Sequence, residues 1–196
     1  MPRITAAAAS HTRSEVSCNV TTLRRASKLP RLKHASSPPS EMHILTMNPQ
    51  ASVQTASTAL WVRVSPQGLA LSSVGDSSLR VYRRSWAGWG PWQAVCAMPR
   101  DLDAQGNPRQ LIGSEVLDTV HHHALPARGT LLTLMMSDGP ANILSDGMVQ
   151  GVLQTLQRQA PSAHDLDYLC RQLVEEALNL GCQDDASAAM VWTQWP

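Results

Sequence analysis

The sequence predicts an α+β fold with mostly antiparallel strands, and three observations carry that prediction. Short apolar runs near 57–64, 69–74 and 79–84 are separated by turn residues, the pattern of consecutive strands. Thr130 to Met136 is a nearly unbroken apolar run whose length suits a buried strand better than a helix. Two stretches with helical spacing follow it, before a last strand-like run at 186–195.

The 196 residues fit one domain with room for a sizeable core. Residues 1–50 are rich in Ser, Ala, Thr, Arg and Pro and lack sustained periodicity, so they predict a disordered basic leader ahead of a folded domain over 51–196. The leader has no apolar h-region and is not a secretory signal. Its Arg- and Ser-rich, acid-poor texture is superficially that of an organelle transit peptide; a non-native leader from a misplaced start is the plainer expectation. The leader holds seven of the sixteen Lys/Arg but only Glu15 and Glu41, which leaves residues 51–196 with a net charge of −4. A mildly acidic domain gives no reason to expect a nucleic-acid partner. No window approaches the roughly 20 apolar residues of a membrane span. Cys18, Cys96, Cys170 and Cys182 form no CxxC pair and no zinc-spaced cluster, which predicts reduced thiols and a cytoplasmic protein.

Taken in order, Ser57 to Val64 reads as a strand, Pro66-Gln67-Gly68 as a turn and Leu69 to Val74 as the second arm of a hairpin. Leu79 to Arg84 alternates Leu, Val and Tyr with Arg80 and Arg83 and reads as a third strand. Residues 85–112 are Trp-, Gly- and Pro-rich and read as irregular, with a turn at 103–108. Trp86, Trp89 and Trp92 suit a packed loop or flap. His121-His122-His123 cannot all face one ion from a regular element, because neighbours on a strand point to opposite faces, so a solvated strand or loop is expected. A helix is expected from near Ser145, with Met148, Val149, Leu153 and Leu156 on one face. A second follows Ser162, where Ser162 and Asp165 have capping-box spacing. Leu166, Leu169, Leu173, Ala177 and Leu180 recur along it, and Gly181 stops it.

The chemistry rests on three acidic stretches: Val74-Gly75-Asp76-Ser77, Ser137-Asp138-Gly139 and Gln183-Asp184-Asp185-Ala186-Ser187. Each places an Asp at a strand end, where a carboxylate can hold a divalent cation through oxygen. Taken singly, each has a plain structural alternative: a Gly-Asp turn for Asp76, a helix cap or turn for Asp138, and a solvated turn for Asp184 and Asp185. The order strand–GDS–strand, apolar strand–SDG, two helices and DDAS–strand resembles the second half of the metal-dependent protein phosphatases, the PPM or type 2C family, in its bacterial form. Gln110 to Glu115 also resembles the segment before the SDG strand in some bacterial members.

That resemblance covers about residues 55–195 and implies a partial PPM-type β-sandwich flanked by helices. It implies hydrolysis of phosphoserine or phosphothreonine by a water held between Mg²⁺ or Mn²⁺ ions. Asp138 and Asp184 would ligate one ion, and Asp76 with Asp138 a third, weaker one. The partner would be a phosphoprotein substrate or a member of a kinase pathway, with no nucleic acid and no membrane. Two departures bear on activity. The family carries an early Asp-Gly that bridges its two main ions, and no Asp precedes Asp76 here; Ser78 also stands where the family's Gly-Asp-Ser-Arg motif has Arg. The expectation is therefore a phosphatase domain of impaired activity, or else a catalytically inactive phosphatase-like binding or regulatory module.

Overall fold

In a computed structural model of the chain, residues 3–10, 57–84, 90–113, 119–156 and 160–195 are described. They form two antiparallel sheets and one layer of helices. The larger sheet holds β1 (Arg3–Ser10), β4 (Ser78–Arg84), β5 (Trp92–Ala97), β7 (Thr130–Met136) and β8 (Ser187–Gln194), in the order β1-β8-β7-β4-β5. The smaller sheet has the order β2-β3-β6, from β2 (Ala59–Ser65), β3 (Gly68–Val74) and β6 (His121–Pro126). The helices are α1 (Asp138–Ile143), α2 (Asp146–Gln154) and α3 (Ala163–Asn179). The predicted α+β class with antiparallel strands is the class observed.

The large sheet is the middle layer, which explains the texture of its strands. Alternate residues of β7 face opposite ways: Leu131 and Met135 pack against Leu60, Leu69 and Leu71 of the small sheet, while Leu132, Leu134 and Met136 pack against the helices. In β8, Ala189 and Val191 face the small sheet, and Ala188, Met190 and Trp192 face the helices. A strand buried on both faces reads as continuous apolar sequence rather than an alternating one. On the helical side, Val149 and Leu153 of α2 and Leu166, Leu169, Cys170, Leu173 and Ala177 of α3 close the core. The capping box of α3 forms as expected: Asp165 N donates to Ser162 Oγ at 3.2 Å and Ser162 N donates to Asp165 Oδ2 at 2.8 Å.

Four expectations change. Arg3–Ser10 is a strand paired antiparallel with β8 from Arg3↔Gln194 to Ser10↔Ser187, so the leader is ordered at its start; the rest of it lies outside the described residues. Ala-rich β1 has little periodicity of its own, and its register comes from β8. Residues 92–97, read as irregular, form edge strand β5, which pairs with β4 through an irregularity between Val81 and Tyr82. Trp92 opens that strand buried in the core, with Arg84 stacked 5.5 Å from its ring centroid; Trp86 and Trp89 lie outside the described residues. The short helix α1 was not among the expected helices, although a helix cap was the plain alternative for Asp138. In a first helical turn the N–H that Pro lacks has no intrahelical partner to lose. Leu180 is exposed as the C-cap of α3, not part of its buried stripe. Cys96, Cys170 and Cys182 are not in disulfides, and Cys18 lies outside the described residues.

Candidate functional site

Antiparallel pairing of adjacent strands decides where the three acidic stretches meet. The pairing β4–β7 runs to Ser78↔Met136 and the pairing β7–β8 to Met136↔Ala188. The start of β4, the end of β7 and the start of β8 therefore lie side by side at one end of the large sheet. Asp76 precedes the first, Asp138 follows the second and Asp184 precedes the third.

Hydrogen bonds tie these segments together. Ser137 N donates to Ser187 O at 3.1 Å, and Ser187 N donates to Ser137 Oγ at 3.0 Å. The same hydroxyl donates to Asp185 O at 2.9 Å. Gly139 permits the contact: a Cβ there would lie 2.9 Å from Asp185 O and from Cys182 Sγ, and 3.4 Å from Asp184 Cβ. The Asp184 side chain is thus rooted beside the first turn of α1, and its Oδ1 accepts from Asp185 N at 2.9 Å. Asp138 and Asp76 are buried, at 6% and 2% exposure, whereas Asp184 is exposed. Thr58 and Ser77 share a buried hydroxyl–hydroxyl bond of 2.7 Å beneath the Asp76 turn. Gly75, at φ +90°, supplies the left-handed residue that lets the chain turn there, against Thr58.

A second set of residues around the Asp76 turn carries no sequence signal. Arg100 Nε donates to Asp76 O at 2.5 Å, and Arg100 Nη2 donates to Asn142 Oδ1 on α1 at 2.8 Å. Asp101 N donates to Gly75 O at 3.0 Å, and the Asp101 carboxylate meets His121 Nε2 at 2.8 Å. His121 is thus held at a sheet edge by Asp101, while His122 and His123 are exposed on β6 as a solvated strand would have them. A cavity of about 410 Å³ opens between Val95–Pro99 and His121–His123, and none of Asp76, Asp138 and Asp184 lines it.

Among the described residues, no group of three or more His, Cys, Asp or Glu side chains is arranged to hold a metal ion. The described residues ahead of Asp76, at 3–10 and 57–75, contain no Asp or Glu. Two divalent ions about 4 Å apart repel by roughly 17 kcal/mol at an effective dielectric of about 20, and a carboxylate oxygen about 2.1 Å from an ion attracts it by roughly 16 kcal/mol. A bridging carboxylate therefore offsets the repulsion of the pair.

The fold matches that of serine/threonine phosphatases of the PPM type, the bacterial kind among them. The solved structure of PppA, a key regulatory component of T6SS in Pseudomonas aeruginosa, is 20% identical with a TM-score of 0.55, covering 69% of this chain and 56% of that one. The S. agalactiae serine/threonine phosphatase is 18% identical with a TM-score of 0.55, covering 70% of this chain and 59% of its own. The catalytic domain of the serine/threonine phosphatase PstP, solved in complex with two manganese ions, is 15% identical with a TM-score of 0.61 and aligns over 99% of this chain and 100% of that one. The chain thus spans less than two thirds of the length of the first two. No family model matches the sequence, and no curated protein does. Among the described residues no helix is long and apolar enough to cross a membrane.

Proposed function

We propose that this chain is a PPM-type serine/threonine phosphatase domain that hydrolyses phosphate esters poorly or not at all by itself. One observation carries the reading: the strand ends that bear Asp76, Asp138 and Asp184 lie side by side, yet among the described residues no group of three acids forms to hold an ion. Asp138 and Asp184 are the residues proposed to hold a single Mg²⁺ or Mn²⁺, largely through water, with Asp76 beside them. A lone hydrated ion lacks the second ion about 3.5–4 Å away that a two-metal centre uses to generate and aim its nucleophile.

The same observation favours a second reading, a non-catalytic module that uses the phosphatase fold to bind a phosphoprotein or a kinase-pathway partner in the cytoplasm. Turnover of p-nitrophenyl phosphate in Mn²⁺, compared between the chain and Asp138→Asn, tests the proposal. Background turnover in both supports it. Robust turnover abolished by Asp138→Asn contradicts it, because a further carboxylate must then complete the site.

A further inference from the structure

We infer that Arg100 is the cation that fastens the carboxylate-bearing end of this domain, joining the Asp76 turn to helix α1 without a bound divalent ion. Arg100 leaves the loop after β5 half-buried, and its guanidinium spans two elements far apart in sequence. Nε donates to the Asp76 carbonyl at 2.5 Å and Nη2 to the Asn142 side chain at 2.8 Å. Asn142 lies in α1, the helix that begins with Asp138. One planar group thus sets the spacing between the two segments that carry the buried carboxylates, and a planar fork can span two fixed acceptors in a way that an ammonium cannot.

The next residue completes the strap. Asp101 N holds Gly75 O at 3.0 Å, Asp101 O accepts from Arg109 N at 2.9 Å, and the Asp101 carboxylate holds His121 on the small sheet. The Asp76 turn is therefore gripped by side chain and backbone of consecutive residues, with its anchor in the other sheet. In a paired-ion centre the metals themselves would join such segments. Here, where no ion-holding group of three acids forms among the described residues, Arg100 does so. Arg100 is a positioning residue.

The test is hydrogen–deuterium exchange of fragments covering 74–78 and 138–143, in EDTA and in Mn²⁺. In the unaltered chain, exchange at 74–78 is expected to be the same with and without Mn²⁺. Arg100→Met should accelerate exchange in both fragments by roughly three- to tenfold, as loss of charge-assisted bonds implies, and leave β8 unchanged. Arg100→Lys should recover protection in only one of the two fragments. Unchanged exchange in Arg100→Met overturns the inference, and so does strong protection of 74–78 by Mn²⁺ in the unaltered chain. If Arg100→Met also exposes β8, the Lys variant decides: protection equal to the unaltered chain in neither fragment, with β8 intact, contradicts the assignment. Exchange does not depend on turnover, so the phosphatase reading can fail while this one stands.

Discussion

Ser137 and Ser187 lock the end of β7 to the start of β8 through a reciprocal pair of hydrogen bonds, Ser137 N to Ser187 O at 3.1 Å and Ser187 N to Ser137 Oγ at 3.0 Å. Ser137 is fully buried, and its hydroxyl also donates to Asp185 O at 2.9 Å. Ser137→Ala leaves one N–H without its hydroxyl acceptor and one carbonyl without its hydroxyl donor. The expected cost is about 1–3 kcal/mol in urea unfolding. Ser137→Thr should cost less, because it keeps the hydroxyl. A neutral Ser137→Ala would show that the two loops hold their places by packing alone.

Gly139 makes the approach of Asp184 possible. A methyl group there meets the Asp185 carbonyl at 2.9 Å, a backbone atom that cannot swing aside. Gly139→Ala is expected to displace residues 182–185 and destabilise the domain by about 1–3 kcal/mol, within the range for overpacking. Chemical-shift changes should centre on Cys182–Asp185. Unchanged shifts there would show that the loop yields freely.

The α3 cap was legible in sequence because it is local: Ser162 and Asp165 satisfy each other across three residues. Ser162→Ala should therefore cost about 0.5–2 kcal/mol, measured by thermal or urea unfolding. An effect near zero would mean that packing of Leu166, Leu169 and Leu173 alone fixes the helix start.

Other features were legible for the same reason, and the failures have a common cause. The hairpin of β2 and β3, the doubly buried run of β7 and the acidic turns all announce themselves within a few residues. Strand β1 does not, because Ala6, Ala7 and Ala8 acquire their facing from β8, more than 180 residues away. Strand β5 hides its pattern because Gln93, Ala94 and Val95 are all exposed on a sheet edge. Arg100 and Asp101 sit in a turn-rich segment, and their partners at 75–76, 142 and 121 are assembled only by the fold. The three acids were legible as strand-end residues, but whether an ion-holding set forms around them is a question of convergence that spacing does not answer.

Burial raises the pKa of the Cys96 thiol above its ordinary value. A folded thiol that holds its proton more tightly than the unfolded one contributes stability below the ordinary thiol pKa, and that contribution is lost as pH rises through the folded value. Alkylation of the native protein by iodoacetamide at pH 8 should be slower at Cys96 than for a small-molecule thiol, and should keep accelerating at higher pH, as followed by mass spectrometry. Alkylation at Cys96 as fast as that of the free thiol at pH 8 would contradict the burial argument.

The proposed phosphatase domain with an incomplete paired-ion centre is tested most directly by Mn²⁺ binding, followed by calorimetry together with electron paramagnetic resonance. At most one ion is expected to bind, no tighter than about 10⁻⁴ M as for a site with few charged ligands. A spectrum of isolated Mn²⁺ and loss of binding in Asp138→Asn are expected with it. Two ions bound tightly, with the exchange-coupled spectrum of a close pair, would contradict it.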